Sequence, residues 1–415
     1  MYWKKLSPGK INEKLFGALA NNINYRSHNI LGVPGTYLDA EEFYDDAPFL
    51  KDAPFLSTLI ANPNHIGCHT MGGESESIFG GTQAIERELI ALIGEQMFKA
   101  EENSIDGYVA PGGTEANIQA MWIYRNLFRK EHKATRDEIL MIYSEDSHYS
   151  MPKGANLLDI EQAIVPVHKR NRTWDLEALN VILDSAKSNG KKYFIVICNC
   201  ATTMYGSVDD IDSITAILDE KELNYKLHVD GAFGGYIYPF TNSDSRYQFQ
   251  NDKISSITID GHKMLQSPYG TGIFLIRKGM MQYAKTEEAN YVQGKDFTIC
   301  GSRSGANAIS VWMIMMIHGS EGWTHKMNTL IHRADDICER LDALNIPYFR
   351  NPHINIVTMD ANYISPELAT RHMLVADKYE GDRSWYKIVV MPHVKRGLID
   401  RFFVDLETEI ANKSN

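Results

Sequence analysis

Short runs rich in β-branched and other apolar residues recur along the chain, and helical patterns separate most of them. The runs lie at about 138–143, 163–167, 193–198, 226–230, 255–260 and 272–276, with helical spacing notably at 175–188 and 209–222. A further extended piece, Tyr108-Val109-Ala110, leads into Pro111-Gly112-Gly113. Strands joined by helices of roughly 10–15 residues run parallel through crossovers and are buried on both faces. The expectation is an α/β fold with a mainly parallel sheet of about seven strands. Two helical faces support it: Ile85, Leu89, Leu92 and Ile93 within 84–98, and Ile118, Met121 and Trp122 in a helix opening at Thr114.

After residue 300 the pattern changes. Helical stretches at 306–317 and 322–344 precede strand-like 353–359 and 386–391, with another helix at about 396–411. This divides the chain into an N-terminal arm (1–60), a large α/β domain (61–305), and a linking helix with a small C-terminal α+β domain (306–415).

Composition narrows the function. With 44% hydrophobic and 23% charged residues, the 415-residue chain reads as globular with a sizeable core. A net charge of −11 argues against nucleic-acid binding by general phosphate attraction, yet permits a local anion pocket. No apolar run is long enough for a membrane span, and Leu15–Ala20 is too short for a signal peptide. The five scattered cysteines read as free thiols, so a cytoplasmic location is expected. Cys198 and Cys200 sit in an apolar run and read as packing. His65, Cys68 and His69 lack a second ligand cluster, so no metal is expected.

Ligands of open α/β sheets bind beyond the carboxyl ends of the strands, where four groups stand out. Gly112-Gly113-Thr114 opens a helix, which offers free N–H groups and a hydroxyl to a phosphate; equally, Thr114 is an ordinary N-cap. His148 follows the strand at 138–143. Asp230 ends an apolar run and precedes the small residues Gly231-Ala232-Phe233-Gly234-Gly235; a buried strand-end acid needs a partner. His262-Lys263 follows the strand at 255–260, where a lysine can serve as a Schiff-base nucleophile. A phosphate cradle, a flat ring, a strand-end carboxylate and a lysine are what pyridoxal 5′-phosphate requires.

These motifs, in this order, resemble the group II pyridoxal-phosphate amino-acid decarboxylases of aspartate-aminotransferase fold (fold type I). The resemblance spans roughly residues 60–410. It is carried by Gly112-Gly113-Thr114-Glu115-Ala116-Asn117, His148-Tyr149-Ser150 with Lys153, Thr202-Thr203 through Gly206 and Asp209, His228 to Gly235, Gly261-His262-Lys263-Met264 and Gly301-Ser302-Arg303-Ser304-Gly305. The chain is most similar to the compact microbial branch, with bacterial histidine decarboxylases and archaeal-type tyrosine/aspartate decarboxylases.

The resemblance implies decarboxylation of an L-amino acid to an amine through an external aldimine and a quinonoid. It implies that Lys263 carries the cofactor, Asp230 pairs with the ring nitrogen, Ala232 packs beneath the ring and His148 stacks above it. Gly112, Gly113 and Thr114 would hold the phosphate, helped by His262, with Thr202 at the ring's edge. The Gly301-Ser302-Arg303 loop resembles a segment that reaches a neighbouring active site, implying a homodimer with shared sites. His69, Tyr291 and Ser302 are the candidate substrate residues. Where the family usually has a mobile loop with a catalytic tyrosine, the segment after Lys278 is short, leaving Tyr283 and Tyr291 as candidates for protonating Cα. Other reactions of the same cofactor stay open, transamination with Arg350 or Arg383 as carboxylate clamp and aldehyde or carbon–sulfur lysis among them, as does a non-catalytic homologue.

Overall fold

A computed structural model describes residues 1–21, 79–242, 245–286, 296–378 and 380–414. Its larger sheet contains β1 (Ile105–Ala110), β2 (Ile139–Ser144), β3 (Glu161–Val165), β4 (Tyr193–Asn199), β5 (Asn224–Asp230), β6 (Ile254–Asp260) and β7 (Gly272–Arg277), in the order β1-β7-β6-β5-β4-β2-β3. The pairs from β6 to β3 are parallel, whereas β7 runs antiparallel to both β6 and β1. The reason lies in the connection. Residues 261–271 hold no crossover helix, so the chain turns straight back. All residues of β2 and β6 are buried, as expected for strands covered on both faces.

Helices α1 (Pro8–Ala20), α2 (Gly80–Ala91), α3 (Gly113–Glu131), α4 (Ser150–Leu158), α5 (Leu176–Ser188), α6 (Ile211–Glu220) and the short α7 (Tyr238–Thr241) accompany this sheet. α1 buries Ile11 and Leu15 in the same core as Trp3 and the sheet residues Val196 and Ile257. The described part of the N-terminal arm is thus packed into the main core. α8 (Gly305–Ala343) bends at Gly319, whose φ of 63° is left-handed. The bend makes room for the N-terminal segment: a Cβ on Gly319 would lie 2.7 Å from the Lys5 nitrogen. The two helical stretches expected on either side of 318–321 are the two limbs of this helix.

The C-terminal part builds an antiparallel sheet from β8 (Tyr348–Phe349), β9 (Ile356–Asp360), β10 (Val375–Ala376) and β11 (Trp385–Val389), in the order β10-β11-β9-β8. With α9 (Pro366–Arg371) and α10 (Arg396–Ser414) it forms a separate apolar core around Val357, Met359, Phe402 and Phe403. The architecture is a mostly parallel seven-stranded α/β sheet with a small α+β unit.

Candidate active site

The register brings the chemistry-bearing ends together. Asp230 pairs across with Asn199 and Thr258, and Asp260 and Ala110 both pair with Gly272. The carboxyl ends of β1, β5 and β6 therefore share one edge of the sheet, and the Gly-Gly-Thr, Asp230 and Lys263 segments leave from that edge. A cavity of about 560 Å3 lies there, with Gly113, Thr114, Asn117, His148, Ala232, Asp260, His262 and Lys263 in its wall.

Helix α3 begins at Gly113 with Gly112 as N-cap, and no side chain caps it. Thr114 lies inside the first turn, so its N-cap reading falls. The uncapped helix start faces the cavity and leaves N–H groups for an anion. Gly113 lets the helix start approach Asp260 closely, since a Cβ there would lie 2.9 Å from both oxygens of that carboxylate and would have to displace it. Lys263 Nζ stands 3.0 Å from Asp260 Oδ2, and His262 Nε2 stands 3.7 Å from the same oxygen. The His262 ring stacks on Tyr269, with centroids 4.4 Å apart. Asp260 Oδ1 and His262 Nδ1 are buried with no hydrogen-bond partner among the described residues. Two orphaned polar atoms at a cavity wall call for a ligand with donors and acceptors of its own.

Asp230 is buried behind Asn117 and Ala232. Its Oδ2 accepts from Asn117 Nδ2 at 2.9 Å and its Oδ1 from the Ala232 N–H at 3.0 Å. His148 Nδ1 lies 2.9 Å from Ser150 Oγ and accepts from the Ser150 N–H at 3.2 Å. Burial lowers the pKa of His148; Lys263 and Lys153 push it the same way, and Asp230 and Asp260 oppose them.

Comparison with known proteins adds the chemistry. Residues 76–351 match the pyridoxal-dependent decarboxylase conserved domain. The chain is 47% identical to a tryptophan decarboxylase of Clostridium sporogenes over 98% of this chain and 97% of the relative.

This chain belongs to the pyridoxal-dependent decarboxylases.

A histidine decarboxylase of Vibrio campbellii is 32% identical over 76% of this chain and 78% of its own. In fold, the L-methionine decarboxylase of Streptomyces sp. 590 superposes with a TM-score of 0.71 at 18% identity, over 96% of this chain and 93% of that one. The protein is thus an amino-acid carboxy-lyase with pyridoxal 5′-phosphate as its cofactor. The cavity fits that cofactor: an amine, a carboxylate, an imidazole ring, an uncapped helix start and unpaired polar atoms meet in one wall.

Several expected residues fall elsewhere in this decarboxylase. The Thr202 hydroxyl pairs with Ser207 Oγ at 2.7 Å, and Thr202 is not a wall residue. Arg303 turns inward to Glu86 and the Val109 carbonyl, so Ser302 is the exposed member of its loop. The Tyr283 hydroxyl donates to Glu131 at 2.9 Å and is not in the cavity wall. Arg350 is held by Asp335 and the Ile354 carbonyl, and Arg383 bonds the Tyr386 hydroxyl. Neither arginine reaches the wall as the clamp that transamination would require. His65, Cys68, His69 and Tyr291 lie outside the described residues.

Asn117 and Asp260 are wall residues to which the sequence reading assigned no role. Asn117 stands one helical turn after Gly113, on the face that the Gly-Gly start turns to the cavity, and that spacing was the available signal. Asp260 stands three residues before Lys263, but its place against Gly113 depends on α3 packing near β6 and has no sequence signature.

Proposed function

We propose that this decarboxylase acts on an aromatic L-amino acid, with L-tryptophan the first candidate and tryptamine the product. The similarity to a tryptophan decarboxylase along nearly the whole chain is the observation that carries this reading. The cavity rim supports it. Tyr149, Leu157, Tyr269 and Ile299 are 63%, 65%, 89% and 45% exposed there, an apolar and aromatic wall suited to an indole.

When bound, pyridoxal phosphate supplies the aldehyde that joins the substrate's amine and the ring that withdraws the electrons left as carbon dioxide departs. Lys263 is the residue we assign to carry the aldehyde covalently. The Asp230 carboxylate would hold a proton at the ring nitrogen, with Ala232 beneath the ring and the His148 imidazole above it. The Gly112-Gly113-Thr114 helix start would take the phosphate, beside His262, with Thr202 more remote. His148 Nδ1 is occupied by Ser150, so in the neutral ring Nε2 carries the proton and is the nitrogen available for transfer within the cavity.

We further propose that two copies share their sites in a homodimer. The exposed apolar rim supports this, because a second copy would cover it, and Ser302 is an exposed candidate to reach across. The free described cysteines suit a reducing cytoplasm.

Incubating the holoenzyme with single L-amino acids and measuring amine by mass tests the substrate. Tryptamine should form with the highest kcat/KM; faster release of histamine or of an amine from an acidic amino acid would overturn the assignment. Sedimentation at assay concentration should give a dimer, and a fully active monomer would refute the shared site.

A further inference from the structure

A buried line of hydrogen bonds runs behind the cavity and ends on Asp230. Asn117 Nδ2 lies 2.9 Å from Asp230 Oδ2 and 3.1 Å from Ser150 Oγ, while Asn117 Oδ1 lies 3.0 Å from His228 Nε2. His228 Nδ1 lies 2.6 Å from Ser256 Oγ, and Ser256 Oγ meets the Tyr124 hydroxyl. Asn117, Ser256, His228 and Tyr124 are at most 1% exposed, so water does not complete these bonds.

The donors and acceptors allow one polarity. Asp230 as a carboxylate only accepts, so the Asn117 NH2 faces it and the Asn117 carbonyl faces His228. His228 must then carry its proton on Nε2, shared with Thr258 Oγ1 at 3.3 Å. Burial pushes the His228 pKa down to about 3, so the ring is neutral and has a single N–H. Nδ1 therefore accepts from the Ser256 hydroxyl, which in turn accepts from Tyr124. Every proton in the line points toward Asp230. The second Asn117 N–H goes to Ser150, whose hydroxyl is left to donate to His148 Nδ1 at 2.9 Å.

We propose that Asn117 is a positioning residue that sets the orientation of the Asp230 carboxylate and of the His148 ring together, with its own amide held the right way round by the Nε2–H tautomer of His228. The inference rests on the assignment of Asp230 to the ring nitrogen. Asn117 fixes one Asp230 oxygen while the Ala232 N–H fixes the other, so the carboxylate cannot turn about its Cβ–Cγ bond. Losing either contact releases that plane.

The test uses Asn117→Leu, similar in volume but without donors, beside Asp230→Asn and wild type. Holoenzymes are loaded with pyridoxal phosphate carrying 15N in its ring, whose shift reads nitrogen protonation independently of turnover. Asn117→Leu should move the shift toward the unprotonated ring and lower kcat about ten-fold, with a smaller change in KM, the scale of one lost hydrogen bond. A wild-type shift and kcat in Asn117→Leu, while Asp230→Asn alters both, would overturn the role of Asn117 and leave that of Asp230 standing. Unchanged values in Asp230→Asn would instead remove the assignment beneath it. Should Asn117→Leu fail to fold, 15N-histidine spectra of the wild type decide. A neutral His228 protonated on Nε2 from pH 5 to 9 supports the proposal; protonation on Nδ1, or on both nitrogens, overturns it.

Discussion

Lys263 Nζ and Asp260 Oδ2 lie 3.0 Å apart at the carboxyl end of β6, and the same Asp260 carboxylate closes against Gly113 at the start of α3. One acid therefore borders both the lysine and the helix start. Its second oxygen has no partner among the described residues. The lysine must leave this ion pair to react with an aldehyde, and a phosphate arriving at α3 must approach a like charge.

Asp260→Asn should accordingly take up pyridoxal phosphate faster than wild type, by up to about five-fold for a partly exposed pair. Stopped-flow absorbance after mixing apoprotein with cofactor measures it. A slower uptake would mean that Asp260 assists loading.

Gly113→Ala places a methyl 2.9 Å from both Asp260 oxygens and narrows the proposed phosphate seat. The dissociation constant for pyridoxal phosphate should rise by roughly ten-fold or more, the loss of about 1.4 kcal/mol. Fluorescence titration of apoprotein reads it, and an unchanged constant would move the phosphate elsewhere.

Arg303 and Glu86 form an ion pair with side chains only 3% and 0% exposed, and both bond the Val109 backbone. Arg303→Met leaves Glu86 buried and uncompensated, which should cost about 3–5 kcal/mol of stability. Adding Glu86→Leu should recover part of that loss. Urea unfolding midpoints of the single and double variants test the pair.

Burial raises the pKa of Glu115 from 4.5 to about 7, against the opposing pull of the Tyr108 hydroxyl and Arg303. The native state therefore keeps a proton that the unfolded chain has already released. The resulting stability is full below about pH 4.5 and is lost as the pH rises through about 7, on the order of 1–3 kcal/mol. Melting temperature should fall between pH 5 and 8, with a shallower slope in Glu115→Gln. Asp209, likewise raised to about 7 by burial, keeps the slope from vanishing.

Periodicity carried most of the fold. The runs that became β2, β4, β5 and β6 were readable because a parallel sheet buried on both faces concentrates β-branched and apolar residues, even though β5 and β6 also carry Lys226, His228, Ser255 and Ser256, and the break between the limbs of α8 was readable at 318–321. Strands β8 and β10 were not, because each spans two residues and shows no period. Nor was the reversed direction of β7, which depends on how the segment around Lys263 turns rather than on the strand's own residues.

The sequence by itself determined the kinds of groups available: a lysine and an acid at strand ends, an imidazole after β2, and a glycine-rich helix start whose order carried the family resemblance. Only the tertiary structure decided which of them meet. Asn117 contacts His228, Ser150 and Asp230, which lie 33 to 113 residues away along the chain. Such a contact leaves no local pattern, because it forms only when α3, the start of α4 and β5 close over one another and exclude water. The same closure gives Asp260 its place between Lys263 and Gly113.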